Sequence, residues 1–129
     1  MKHVRQKHKY TCAIAALAMI TNIPYDKVYK QIFPKRKTFG RSVPTIFVKT
    51  VEFLKKLKIK HKIIFGRKID FRRLKSPAFV SVQIKSKCYH AVVWDPESKR
   101  ILDPQPNKKP RINVKYANDH QRYYIKILK

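Results

Sequence analysis

Cysteine is scarce in this chain of 129 residues: only Cys12 and Cys88 are present, so there is no disulfide framework. Long apolar runs are missing too. The longest, Ala13 to Ile20, is far too short to span a bilayer. The first residues, Met1-Lys2-His3-Val4-Arg5, are not followed by a signal-peptide core, and a soluble cytoplasmic protein is expected. Acidic residues are few, 7 Asp and Glu against 32 Lys and Arg, for a formal charge of +25. The bland reading of that imbalance is a solvated, lysine-heavy surface. The functional one is attraction to a polyanion such as nucleic acid, an acidic peptide or an anionic membrane. No known nucleic-acid module signature accompanies the basic residues, which are densest at Lys35-Arg36-Lys37, Lys55-Lys56-Lys58-Lys60 and Lys108-Lys109-Arg111.

What is present suffices for a core. Hydrophobic residues make up 43% and aromatic residues 12%, enough to exclude a disordered basic tail and to predict one domain over 1–129. Thr11 is a candidate N-cap for a helix over 12–20, and Pro24 ends that region. A second short helix runs from Tyr25-Asp26 to about Phe33, stopped by Pro34. Ser42-Val43-Pro44 reads as the start of an amphipathic helix reaching about Leu57. The period then changes. Strands are expected at 61–65, 77–84, 88–95 and 100–103, with a helical or turn segment at 70–74 and turns at 85–87 and 96–99. Further strands are expected at 111–115 and 123–128. Helices first and an antiparallel meander after them predict an α+β domain, its helices packed on one side of the sheet.

The stretch Cys12-Ala13-Ile14-Ala15-Ala16-Leu17-Ala18-Met19-Ile20 organises the rest. A helix with no polar stripe belongs in the middle of a domain. A cysteine in its first turn meets unpaired N–H groups and the positive end of the helix dipole, which favour thiolate over thiol. His90 lies within an apolar strand, where an imidazole needs a reason. Asp95 is five residues on and points to the opposite face of a regular strand. If Asp95 sits opposite Arg100 across the 96–99 turn, Asp103 comes to lie on the face of His90, one diagonal step away. Parity therefore favours Asp103 as the group that orients the ring.

A Cys, a His and an Asp in that order, with Gln6 shortly before the Cys, are the parts of a papain-type cysteine hydrolase. The chain resembles the C39 and C39-like peptidases, which include the double-glycine leader peptidases of bacteriocin exporters. The residues that carry the resemblance are Gln6, Thr11 to Ile20, Tyr89-His90-Ala91-Val92-Val93 and Ile101-Leu102-Asp103-Pro104. It implies a papain-like fold with a central buried helix on an antiparallel sheet. It also implies Cys12 as nucleophile, His90 as general base and then acid, Asp103 as its orienting carboxylate, and Gln6 with the Cys12 N–H as oxyanion donors. No cofactor is implied. Where the family has Gly after the nucleophile this chain has Ala13, whose methyl group is expected to crowd the approach of substrate.

Rival readings start from the same residues. A catalytically weak papain-like fold could act as a module that binds nucleic acid or an acidic protein, and an acyl transferase could use the same Cys and His. A metal site from Cys12, Cys88 and His90 lacks the paired spacings of structural zinc. Phe79, Tyr89 and Trp94 read as sheet core, and His3, His8, His61 and His120 join no constellation. The expected partner is a peptide or protein, acidic or flexible near the bond attacked, with non-specific nucleic acid as a second possibility.

Overall fold

The first helix, α1 (Cys12–Thr21), is buried from Ala13 through Met19, as a helix without a polar stripe has to be. It comes from a computed structural model that describes residues 1–7, 11–33, 45–85, 88–105 and 112–128, with the backbone alone at 45, 46, 85 and 88. Thr11 precedes α1 without capping it through its side chain; its hydroxyl oxygen instead accepts from the buried Tyr25 hydroxyl at 2.7 Å. Asn22 ends the helix in the left-handed region at φ 57, which Asn tolerates better than most residues. Helix α2 (Tyr25–Ile32) buries Tyr25, Val28 and Ile32, one face at helical spacing. Helix α3 (Thr45–Lys56) buries Thr50, Phe53 and Leu54.

The strands are β1 (His61–Phe65), β2 (Ala78–Lys85), β3 (Cys88–Asp95), β4 (Arg100–Leu102) and β5 (Gln121–Ile127). They form one five-stranded sheet in the order β1-β5-β2-β3-β4, antiparallel throughout. Phe79, Ala91, Val93 and Ile125 face α1, α2 and α3 and close the larger core. Val80, Val82, Val92, Trp94 and Tyr124 point to the other face, where Phe71, Ile112 and Ala117 cover them. The chain is thus α+β. Among the described residues no helix is long and apolar enough to cross a membrane.

Three expectations are corrected. The segment expected as a strand over 111–115 leads into a helix, α4 (Val114–His120), whose N-cap Asn113 accepts from the Tyr116 N–H at 2.8 Å; Arg111 lies outside the described residues. An Asn side chain that captures a backbone N–H three positions on turns the chain into a helix before β-propensity can act. The helices do not keep to one side. With α4 and the 3₁₀ turn Phe71–Arg73 on the second face, both faces of the central strands are apolar. Nor is the sheet a simple meander, because β5 returns to lie between β1 and β2. The Ser42-Val43-Pro44 helix start, the basic groups Lys35-Arg36-Lys37 and Lys108-Lys109-Arg111, His8, and Ser86-Lys87 of the 85–87 turn lie outside the described residues.

Candidate active site

The site forms where β4 stops. β3 pairs with β4 only over Val93–Asp95, in the register Val93↔Leu102, Trp94↔Ile101 and Asp95↔Arg100. One step further, Asp103 leaves the ladder beside Val92 and His90. Alternation places His90 with Val92 and Trp94, the side of β3 away from the α1 core. The head of α1 abuts the stretch of β3 beyond its pairing with β4. There the Ala91 N–H donates to Cys12 Sγ at 3.4 Å.

His90 is the hinge of the cluster. Its Nε2 meets Asp103 Oδ1 at 2.5 Å, with both side chains buried. The ring also hydrogen-bonds Cys12. With Nε2 occupied by the carboxylate, Nδ1 is the nitrogen left for the sulfur. Asp103 Oδ1 accepts a second bond, from the Gln105 N–H at 3.0 Å, so the carboxylate is held from its own backbone as well. The Gln6 N–H donates to the Pro104 carbonyl at 2.8 Å, which seats the half-buried Gln6 against the segment that carries Asp103. Cys12, His90 and Asp103 therefore meet in one place, and the backbone of Gln6 is tied to the residue after Asp103.

The electrostatics follow from these contacts. Burial pushes the Cys12 thiol up, but the His90 hydrogen bond and charge, with the N–H groups of Ala91 and Ala13, more than reverse it and leave it below 9.0. Burial alone would lower the imidazole; bonds to Asp103 and Cys12, and their charges, lift His90 to about 10. Burial would likewise raise Asp103, yet the bond and charge of His90 hold it below the ordinary carboxylate value. His90 therefore carries its proton at neutral pH, and its charge favours the thiolate of Cys12 on one side and the carboxylate of Asp103 on the other. Charges in such a place are tolerated because each is matched by a partner and by backbone donors. A thiolate beside a protonated, oriented imidazole can attack an acyl carbon and then protonate a leaving group.

Two residues were missed by sequence reasoning. The exposed His3 donates from Nε2 to the Asp103 carbonyl at 2.6 Å, and its charge further favours the Asp103 carboxylate. Nothing in the spacing points to it, since the contact joins chain segments far apart in sequence. Tyr89, by its spacing a residue of the sheet core, is instead 43% exposed, its ring under the Arg122 guanidinium at 3.6 Å. Ala13 also departs from expectation. Its methyl group is buried in the larger core and so does not crowd the cleft.

Asp95, the carboxylate that parity set aside, does other work. Its oxygens accept from the Glu97 N–H at 3.1 Å and the Ser98 hydroxyl at 2.8 Å, and so fix the turn between β3 and β4. A cleft of about 580 Å³ lies at the far end of α1, with Met19, Leu74 and Trp94 among its lining and Arg73, Lys75 and Lys99 at its margin. Among the described residues no group of three or more His, Cys, Asp or Glu is arranged to hold a metal ion. Compared with known proteins, the chain matches no protein-family model and no curated sequence.

Proposed function

We propose that this protein is a papain-like cysteine peptidase, similar to the C39 peptidases, which hydrolyses a peptide bond through an acyl-enzyme on Cys12. The observation that supports this best is the shared ring. One imidazole bonds the Cys12 sulfur and, on its other side, Asp103 at 2.5 Å. A bond of the Gly-Gly type is what the family resemblance points to.

In this reading Cys12 Sγ attacks the carbonyl carbon, and the carbonyl π pair moves onto oxygen. The Cys12 N–H at the head of α1 and the Gln6 side-chain amide donate to that oxyanion. The tetrahedral centre collapses as His90 gives its proton to the leaving nitrogen, so the C–N bond breaks and a thioester remains. Neutral His90 then takes a proton from water, and the hydroxide formed adds to the thioester. Collapse of this second centre releases the acid and returns thiolate and imidazolium. Asp103 keeps the ring in the tautomer and orientation that both steps need.

The test is cleavage of a defined peptide mixture in H₂¹⁸O, read by mass spectrometry. Hydrolysis places ¹⁸O in one product carboxylate, and Cys12→Ala removes both the cleavage and the Cys12 adduct formed by an acylating probe. Label-free products joined to an added amine would instead mark an acyl transferase. No cleavage and no adduct with the unaltered protein would end the enzyme reading.

A second reading has its own support in the +25 charge and the basic margin of the 580 Å³ cleft, away from Cys12. In that reading the fold binds nucleic acid or an acidic protein without turnover. Salt-sensitive binding indifferent to Cys12→Ala, with no Cys12 reactivity, selects it.

A further inference from the structure

The register across the sheet defines a row that begins at the nucleophile. Ala91 on β3 faces Ser81 on β2, Ser81 faces Tyr123 on β5, and Tyr123 faces Phe65 on β1. Ala91 touches Cys12 Sγ through its N–H, and both Ala91 and Tyr123 pack on the α1 side of the sheet. Phe47 closes the far end of the row against Phe65 and Tyr123, with ring centroids 5.6 Å and 5.0 Å apart. The row therefore leads from the sulfur along one face of the sheet.

Arg122 is out of step with this row for a local reason. The β2–β5 register shifts between Ser81, opposite Tyr123, and Val82, opposite Gln121, so Arg122 is the extra residue of a bulge. Bulges re-aim side chains, often next to active sites. Here the Arg122 guanidinium crosses from β5 to β3 and lies 3.6 Å from the centroid of Tyr89. Tyr89 shares the face of Ala91 and lies two residues before it, about 7 Å along the strand. The guanidinium is thus held over a ring two residues along the strand from the N–H that hydrogen-bonds Cys12. No ion pair joins Arg122 to a carboxylate among the described residues. Its edge, with a planar fork of N–H donors, stays open for a carboxylate.

We propose that Arg122, laid on Tyr89, is a specificity residue of the Cys12 site and takes a substrate carboxylate within one or two residues of the bond attacked. This deepens the peptidase reading and rests on it. The stacked ring spends the side-chain entropy of the arginine in advance, so the fork is preorganised before the substrate arrives. A carboxylate from an acidic side chain and one from a free chain end offer the same chemistry.

The test measures Cys12 alkylation rates by intact mass with two series of short peptides. Peptide chloromethyl ketones place residues before the attacked carbon, in Glu and Gln forms. Bromoacetyl peptides place residues after it, in Glu and Gln forms, and in the Gln form with free or amidated ends. The unaltered protein is expected to react about tenfold faster with an anionic member of at least one series than with its neutral twin. A gain in the Glu forms assigns a side-chain carboxylate, and a gain in the free-ended form assigns a chain terminus. Arg122→Gln should abolish the preference and Arg122→Glu should reverse it in favour of the neutral member of each pair, while rates with the neutral peptides change less than about twofold in Arg122→Gln. Lys30→Gln on α2 removes the same charge elsewhere and should leave the preference intact. Fast alkylation that is blind to charge, or a preference that Arg122→Gln and Lys30→Gln reduce equally, would overturn this inference alone. A Cys12 no faster than glutathione with every peptide would overturn it together with the peptidase reading.

Discussion

At the scale of the residue, the account depends on which groups hold the Cys12 proton down. Burial raises the thiol, and His90 together with the N–H groups of Ala91 and Ala13 more than reverses it, so iodoacetamide should alkylate Cys12 rapidly below pH 9.0. His90→Ala removes the main lowering partner and leaves burial opposed only by the N–H groups of Ala91 and Ala13. The inflection of the rate–pH profile should then move up; an unmoved inflection would show that the ring does not set the thiolate. For hydrolysis the same ring must be protonated to release the leaving group, so activity should fall as pH rises through about 10. The two carboxylates near the turn separate cleanly. Asp103→Ala should slow Cys12 alkylation at pH 6 by roughly tenfold or more, since the imidazolium loses its partner. Asp95→Ala should leave that rate alone and cost about 1–3 kcal/mol of stability in urea unfolding, because its bonds serve the turn. Equal loss of reactivity in both variants would contradict this division.

At the scale of the element, α1 carries both core side chains and the Cys12 thiol, and the two lie on different residues. Leu17 is fully buried, so Leu17→Ala should cost about 2–5 kcal/mol. Ala13→Gly should cost about 1 kcal/mol through helix entropy, without raising the Cys12 alkylation rate, because the methyl group faces the core. A faster rate in Ala13→Gly would restore the idea of a crowded cleft. The reason α1 could be read from the sequence is that an all-apolar helix has one possible location. The β3–β4 register could be read as well, because the 96–99 turn leaves little choice once Asp95 faces Arg100. α4 could not. Its start depends on one Asn side chain, and the strand-like residues around it become apolar cover for the second face of the sheet. The place of β5 was hidden for a related reason. A strand's partners are set by which edge remains open after the rest has folded, and no local pattern records that. His3 and the bulge at Arg122 are likewise products of distant segments meeting.

At the scale of the whole molecule, the +25 charge makes any electrostatic association steeply dependent on salt. Binding of a mixed-sequence DNA duplex should weaken by about tenfold or more between 50 and 200 mM salt and should be unchanged in Cys12→Ala. Binding that survives high salt would show contacts more specific than charge. That surface and the chemistry at the sheet edge are separable. The most direct test of the chemistry compares the two cysteines of one molecule. Native protein at pH 6 is treated with limiting iodoacetamide, and the carbamidomethyl group is located by peptide mass mapping. The account predicts modification of Cys12 at least about tenfold faster than of Cys88, a difference abolished by His90→Ala. Slow and equal modification of the two would contradict it.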